Sequence, residues 1–113
     1  MLETITSSTE ISRIFTTGKR LNGQAITLLV QTHESTHDPR GRVAFVAGKK
    51  SGNAVWRNKA KRRMREIARS MGAPWEGFDV VFIAKRSTTE QMYSKVLQQA
   101  ENLLQAYFKE CKQ

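Results

Sequence analysis

Cysteine is all but missing from these 113 residues: Cys111 stands alone, so no internal disulfide can form. No cysteine or histidine pattern surrounds it, and it is given no role. A chain without such staples is expected in a reducing compartment. No apolar run approaches the roughly 20 residues that cross a bilayer. The N-terminus shows no basic segment followed by an apolar one, so no signal peptide is expected. Together these absences point to a soluble, cytoplasmic protein with no membrane attachment. Acidic residues are also scarce, 10 against 19 basic ones, and they are scattered rather than paired. There is no glycine-rich phosphate loop ending in Lys-Ser or Lys-Thr, and no nucleophile spaced with a base. Self-contained catalysis is not expected, which makes a nuclease with its own active site the most remote reading. His33 and His37 lie in a turn-prone stretch that runs into Pro39. Ligands at that spacing converge only on a helix, so a solvated loop is expected rather than a metal site.

What the chain does have is positive charge. The formal net charge is +9, which points to nucleic acid or another anionic surface. The length suits one domain, residues 1–113, able to bury something over about 60% of its unfolded surface. No repeat or low-complexity segment divides it.

One stretch concentrates the charge. Lys49, Lys50, Arg57, Lys59, Lys61, Arg62, Arg63, Arg65 and Arg69 are nine of the 19 basic residues, and only Glu66 opposes them. A disordered basic tail would show no period, but this stretch has one. At 3.6 residues per turn, Trp56, Ala60, Met64, Ile67 and Met71 fall within about 80° of one another. Asn58, Lys61, Arg62, Arg65 and Arg69 fall within a second arc of about 100°, on roughly the opposite side. A helix from Ala54 to Ser70 or Met71 is therefore predicted, ended by Gly72 and Pro74, with one face in a core and the other turned to a polyanion. Like charges crowded on one helical face repel, and a phosphate backbone removes that cost. Arg57, Lys61, Arg62 and Arg65 suit phosphates, the arginines bidentately. Asn58 suits a base edge or a 2′-hydroxyl. Asn53 is open between an N-cap and an RNA contact. Lys49, Lys50 and Ser51 precede the helix, where its dipole also favours phosphate.

The remaining elements follow from period and punctuation. Ser7 and Glu10 have capping-box spacing, and Ile11, Ile14 and Phe15 then recur at helical intervals up to Gly18. A short edge strand over Lys19–Asn22 is expected before a turn at Asn22-Gly23. Strands are expected over Ala25–Thr32 and Arg42–Ala47, giving two or three antiparallel strands, with an apolar and central strand over Asp79–Ala84. Ser87, Thr88 and Thr89 open a last helix, Thr88 and Gln91 forming its capping pair. Tyr93, Val96, Leu97, Ala100, Leu103, Leu104 and Tyr107 line that helix's core face. The order helix, two or three strands, helix, strand, helix describes an α+β domain: two layers, with helices on one mainly antiparallel sheet.

Gly52-Asn53-Ala54-Val55-Trp56-Arg57-Asn58, continuing through Lys61, Arg62, Arg65 and Glu66, closely resembles the signature helix of the bacterial ribonuclease P protein family. That resemblance covers about Thr9 to Phe108. It implies a four-stranded α-β-β-β-α-β-α fold with a left-handed βαβ crossover. It also implies a subunit that helps a catalytic RNA remove the 5′ leader of precursor tRNA. The RNA would carry the chemistry with Mg²⁺ held mainly by RNA and substrate, and no protein partner would be required. The resemblance places Lys49, Lys50, Asn53, Arg57, Asn58, Lys61, Arg62, Arg65 and Arg69 on the RNA. It places Phe15 in a cleft that holds the single-stranded leader, although helical spacing from Ile11 equally allows Phe15 to be core. Where the family often has a second phenylalanine this chain has Ile11. Where the family has a basic N-terminal extension, this chain has Leu2, Glu3 and Glu10. A ribosomal or other structural RNA-binding protein is the alternative.

Overall fold

The computed structural model describes residues 8–32, 41–48, 50, 52–73 and 75–111. Readings placed on Leu2, Glu3, Ser7, the 33–40 loop, Lys49, Ser51 and Pro74, and on the side chains of Glu10 and Cys111, lie outside the described residues. The elements are helix α1 (Ser8–Thr17), strands β1 (Lys19–Asn22), β2 (Ile26–Thr32) and β3 (Arg42–Val46), helix α2 (Ala54–Ser70), strand β4 (Phe78–Ala84), one-turn helix α3 (Ser87–Glu90) and helix α4 (Tyr93–Cys111).

The sheet runs β1-β2-β4-β3. Strands β2 and β4 are the inner pair, and Ile26, Leu28, Leu29, Val30, Val80, Val81 and Phe82 are all at most 1% exposed. Burial on both faces explains why these two segments read as nearly unbroken apolar runs. Strand β1 is short and exposes Lys19 and Arg20, features that discourage further pairing along an open edge.

Strand β3 is the parallel member of the mainly antiparallel sheet. It lies parallel to β4, with Arg42 opposite Asp79 and Val46 opposite Ile83, whereas β1–β2 and β2–β4 are antiparallel. The cause is α2, which separates β3 from β4 in the chain. A helical crossover returns the chain to the same end of the sheet, and strands joined that way run parallel. Arg42 and Asp79, paired across the two strands at 3.1 Å, fasten that end.

Alternation along the strands assigns the two faces. One carries Ile26, Leu28, Val30, Val43, Val80, Phe82 and Ala84, and packs against Ala60, Met64, Ile67 and Ala68 of α2 and Val96, Ala100 and Leu104 of α4. The other carries Leu29, Ala44 and Val81 and receives Ile14 and Ile11 of α1. The two-layer sandwich thus has a partial third layer, with α1, among the described elements, packed on the far face.

The last helix begins later than its sequence suggested. Ser87–Glu90 forms a separate turn, and the long helix starts at Tyr93. Thr88 does not pair with Gln91. Its side chain is fully buried, and its hydroxyl accepts from the Lys85 amide at 2.9 Å and donates to the Ala25 carbonyl. Gln99 Oε1 accepts from the Ala25 amide at 2.8 Å, so both backbone groups of that hairpin residue are satisfied from across the fold. Thr88→Val keeps the shape but orphans two buried groups, and is expected to cost about 2 kcal/mol in a urea melt. A loss under about 0.5 kcal/mol would show that water replaces the hydroxyl.

Candidate nucleic-acid interface

Helix α2 has four sides, and its sequence assigns each a task. Asn53 takes an extended conformation just before it and accepts the Trp56 amide on Oδ1 at 3.0 Å, which makes it the N-cap. The Trp56 indole lies over Gly52: a Cβ there would sit 2.8 Å from three of its ring atoms. Trp56 Nε1 donates to Thr89 Oγ1 at 2.9 Å, tying the start of α2 to α3. The glycine of the motif is thus needed for the close approach of a ring four residues on. The sequence pattern alone did not show this, because the demand comes from how Trp56 turns.

The core side is Ala60, Met64, Ile67 and Ala68, all at 0% exposure, with Trp56 and Met71 half-buried at its ends. Burying Met64 and Ile67 contributes about 1.5–3 kcal/mol each. Ala68 extends the stripe beyond the predicted set. Towards α3 and α4, Arg63 donates from Nη1 to the carbonyls of Thr88 at 2.9 Å and Gln91 at 2.6 Å, and its guanidinium sits 5.9 Å from the Tyr93 ring centroid. One of the nine clustered cations is therefore spent inside the protein. Towards β3, the Arg65 guanidinium lies 5.8 Å from the Phe45 ring centroid.

The fourth side faces outward. Asn58, Arg62, Arg65 and Arg69 are exposed, while Arg57 and Lys61 are half-buried along the border nearest β3. Among the described residues, the side chains of Lys50, Arg57, Asn58, Lys61, Arg62 and Arg69 make no hydrogen bond or ion pair. A strip of cations that form no ion pair among the described residues, with Glu66 the single acid beside them, is chemically suited to a row of phosphates. Lys50, also exposed, extends it beyond the start of the helix. The Asn53 side-chain oxygen is committed to capping. Of the predicted contacts, Lys49 alone lies outside the described residues.

The far face of the sheet supplies a second surface. Ile14, at 1% exposure, anchors α1 on it together with half-buried Ile11, and Phe15 beside Ile14 is 40% exposed. Phe15 is therefore not a fully buried core residue, and part of its ring faces outward. By strand alternation, Thr27, Leu29 and Gln31 of β2 share this face with Asp79, Val81 and Ile83 of β4. Gln31 Oε1 is buried there with no hydrogen-bond partner among the described residues. The alternation in Thr27-Leu28-Leu29-Val30-Gln31 was the signal for it, and the sequence reading did not use it.

No group of three or more His, Cys, Asp or Glu converges among the described residues, so no step is assigned to a metal held by them. No helix among them is long and apolar enough to cross a membrane.

A family model described as Ribonuclease P matches residues 2–107. A ribonuclease P protein component of Dehalococcoides mccartyi is 40% identical over 81 residues, covering 72% of this chain and 64% of the relative. One from Caulobacter vibrioides is also 40% identical over 81 residues, covering 68% and 54%. The chain thus aligns with about half to two thirds of the length of these curated relatives. The solved structure of the RNase P protein from Thermotoga maritima superposes with a TM-score of 0.74 at 30% identity, over 90% of this chain and 94% of that one. The RNase P protein of Staphylococcus aureus shares the fold, with a TM-score of 0.78 at 21% identity over 95% and 96%.

Proposed function

Since this chain belongs to the ribonuclease P protein family, we propose that it is the protein subunit of a ribonuclease P holoenzyme, assisting an RNA subunit in removing the 5′ leader from precursor tRNA. The observation that carries this reading is the outward strip of α2, whose exposed cations make no ion pair among the described residues while the opposite side is buried in the core. Arg57, Lys61, Arg62, Arg65 and Arg69, with Lys49 and Lys50 before the helix, neutralise phosphates of the RNA subunit. Asn58 supplies an amide to a base edge or a 2′-hydroxyl, and Asn53 adds its free amide nitrogen beside the cap. No residue of this chain is assigned to a metal; Mg²⁺ held by the RNA and the substrate would supply the activated water for hydrolysis. The protein's own part is to bind, orient and screen charge.

The exposed Phe15 ring and the sheet face beside α1 receive the single-stranded leader. Phe15→Ala should weaken binding of leader-bearing precursor by roughly 1–3 kcal/mol if a base stacks on the ring, and leave mature tRNA nearly unaffected. Comparing the two affinities checks it, and equal losses for both RNAs would remove Phe15 from the leader site.

Reconstitution tests the whole proposal. At low Mg²⁺, a bacterial ribonuclease P RNA should cleave precursor tRNA efficiently only when this protein is added, and the protein alone should leave the substrate intact. Absence of rescue, with ribosomal RNA copurifying in place of one dominant RNA, would favour a structural RNA-binding role.

A further inference from the structure

We infer that Val55 makes a non-ionic contact with a nucleoside of the RNA, packing its two methyl groups on a base or ribose beside the cations of the first turns of α2. The inference rests on the proposed RNA-binding role of α2 and deepens it.

Val55 is 76% exposed, the most open large apolar side chain among the described residues. A lone exposed apolar residue usually needs no explanation. Its position supplies one here. At 100° per residue, Val55, Asn58, Arg62, Arg65 and Arg69 fall within about 80° of one another, so the valine belongs to the same outward strip. It lies in the first turn of α2, about 10 Å along the axis from Arg62. Trp56, its neighbour, turns the other way, onto Gly52 and Thr89. Val55 therefore serves neither the core nor the clamp on α3. A β-branched residue is also a poorer helix former than alanine, so local stability does not favour it at this position.

Phosphate contacts alone leave this side chain unused. The start of the strip is mixed, with uncharged Ala54, Val55 and Asn58 beside Lys59, one turn on from Val55, all exposed, while Lys61 to Arg69 carry further cations and one exposed acid, Glu66. Charge complementarity decides the occupant. A protein partner covering Val55 would also meet Arg62 and Arg65 and would have to bring carboxylates to match them. An RNA strand laid along the cations brings its own anions, and its sugar and base faces offer the apolar surface that Val55 lacks. Such a contact adds affinity without releasing counterions, so it is separable from the ionic ones by salt.

The test is a salt titration of affinity for a bacterial ribonuclease P RNA transcribed in vitro, using the full chain, Val55→Ala and Arg62→Ala. Val55→Ala should bind about tenfold more weakly at every salt concentration, on a line parallel to the parent, with an unchanged or raised melting temperature. Val55→Thr, which keeps the shape and one methyl, should fall between the two. Arg62→Ala should instead shallow the slope by about one. If Val55→Ala binds within about twofold of the parent, or changes the slope, while Arg62→Ala shallows it, the valine contact is wrong and the cationic strip stands. If neither variant changes binding, α2 does not face the RNA and both readings fall.

Discussion

Replacing Arg57, Lys61, Arg62 and Arg65 together by alanine should shallow the dependence of log affinity on log salt by about 3.6, roughly 0.9 for each phosphate no longer neutralised. Between 50 and 200 mM salt, the parent's affinity for a bacterial ribonuclease P RNA would then fall about 150-fold more than that of the variant. The effect should be large because these side chains have no internal role to fall back on. Among the described residues, Arg57, Lys61 and Arg62 form no hydrogen bond or ion pair, and Arg65 touches only the Phe45 ring. For the same reason the fold should survive: alanine is the strongest helix former, and removing like charges relieves repulsion. Retained helicity by circular dichroism, with the salt slope unchanged, would show that the strip does not meet phosphates. Arg63→Ala makes a useful contrast. It should leave the slope alone and lower stability, because its guanidinium holds the Thr88 and Gln91 carbonyls.

The second large effect concerns folding. Gly41→Ala should destabilise the domain by more than about 3 kcal/mol, beyond the usual range for an overpacked site. Gly41 is buried just before β3, and a Cβ there would lie 1.8 Å from the Trp75 carbonyl oxygen and 2.6 Å from that of Phe78. Both obstacles are backbone in the turn that enters β4, where the Phe78 amide bonds the Trp75 carbonyl at 3.1 Å. No rotamer change can yield, so the turn must move. With it would go the start of the parallel pairing, including the Arg42–Asp79 ion pair. A thermal melt shows the result: a drop of more than about 10 °C is expected. A melting temperature within a few degrees of the parent would mean that the 75–78 turn gives way easily. Gly77, at φ +85, lies in the same turn but with open space around its Cβ position. Gly77→Ala should cost only the left-handed backbone penalty, about 1–2 kcal/mol.

The two glycines mark where sequence reasoning stopped. Helix α2 was legible almost residue by residue, because a 3.6-residue period in one continuous segment separates a buried side from an exposed one without reference to anything else. The same holds for the core face of α4, for β4 as an inner strand and for the β1 edge, although the expected turn at Asn22-Gly23 gives way to a connection over residues 23–25, with Asn22 still paired to Thr27. Periodicity says which side is covered and never what covers it. That is why Phe15 and Ile14, adjacent in α1 and both apolar, could not be told apart until the sheet showed Ile14 at the contact.

The amino-acid pattern by itself therefore determined an α+β chain whose central helix buries one side and presents cations on the other. Those properties are local, set by the residues within each element. Only the tertiary structure decided that β3 meets β4 with Arg42 opposite Asp79, that Thr88 secures Ala25 across 63 residues of chain, and that Arg63 turns inward while Arg62 makes no hydrogen bond or ion pair among the described residues. Each of these depends on two segments far apart in sequence meeting at a given register, and no period within one segment encodes that meeting.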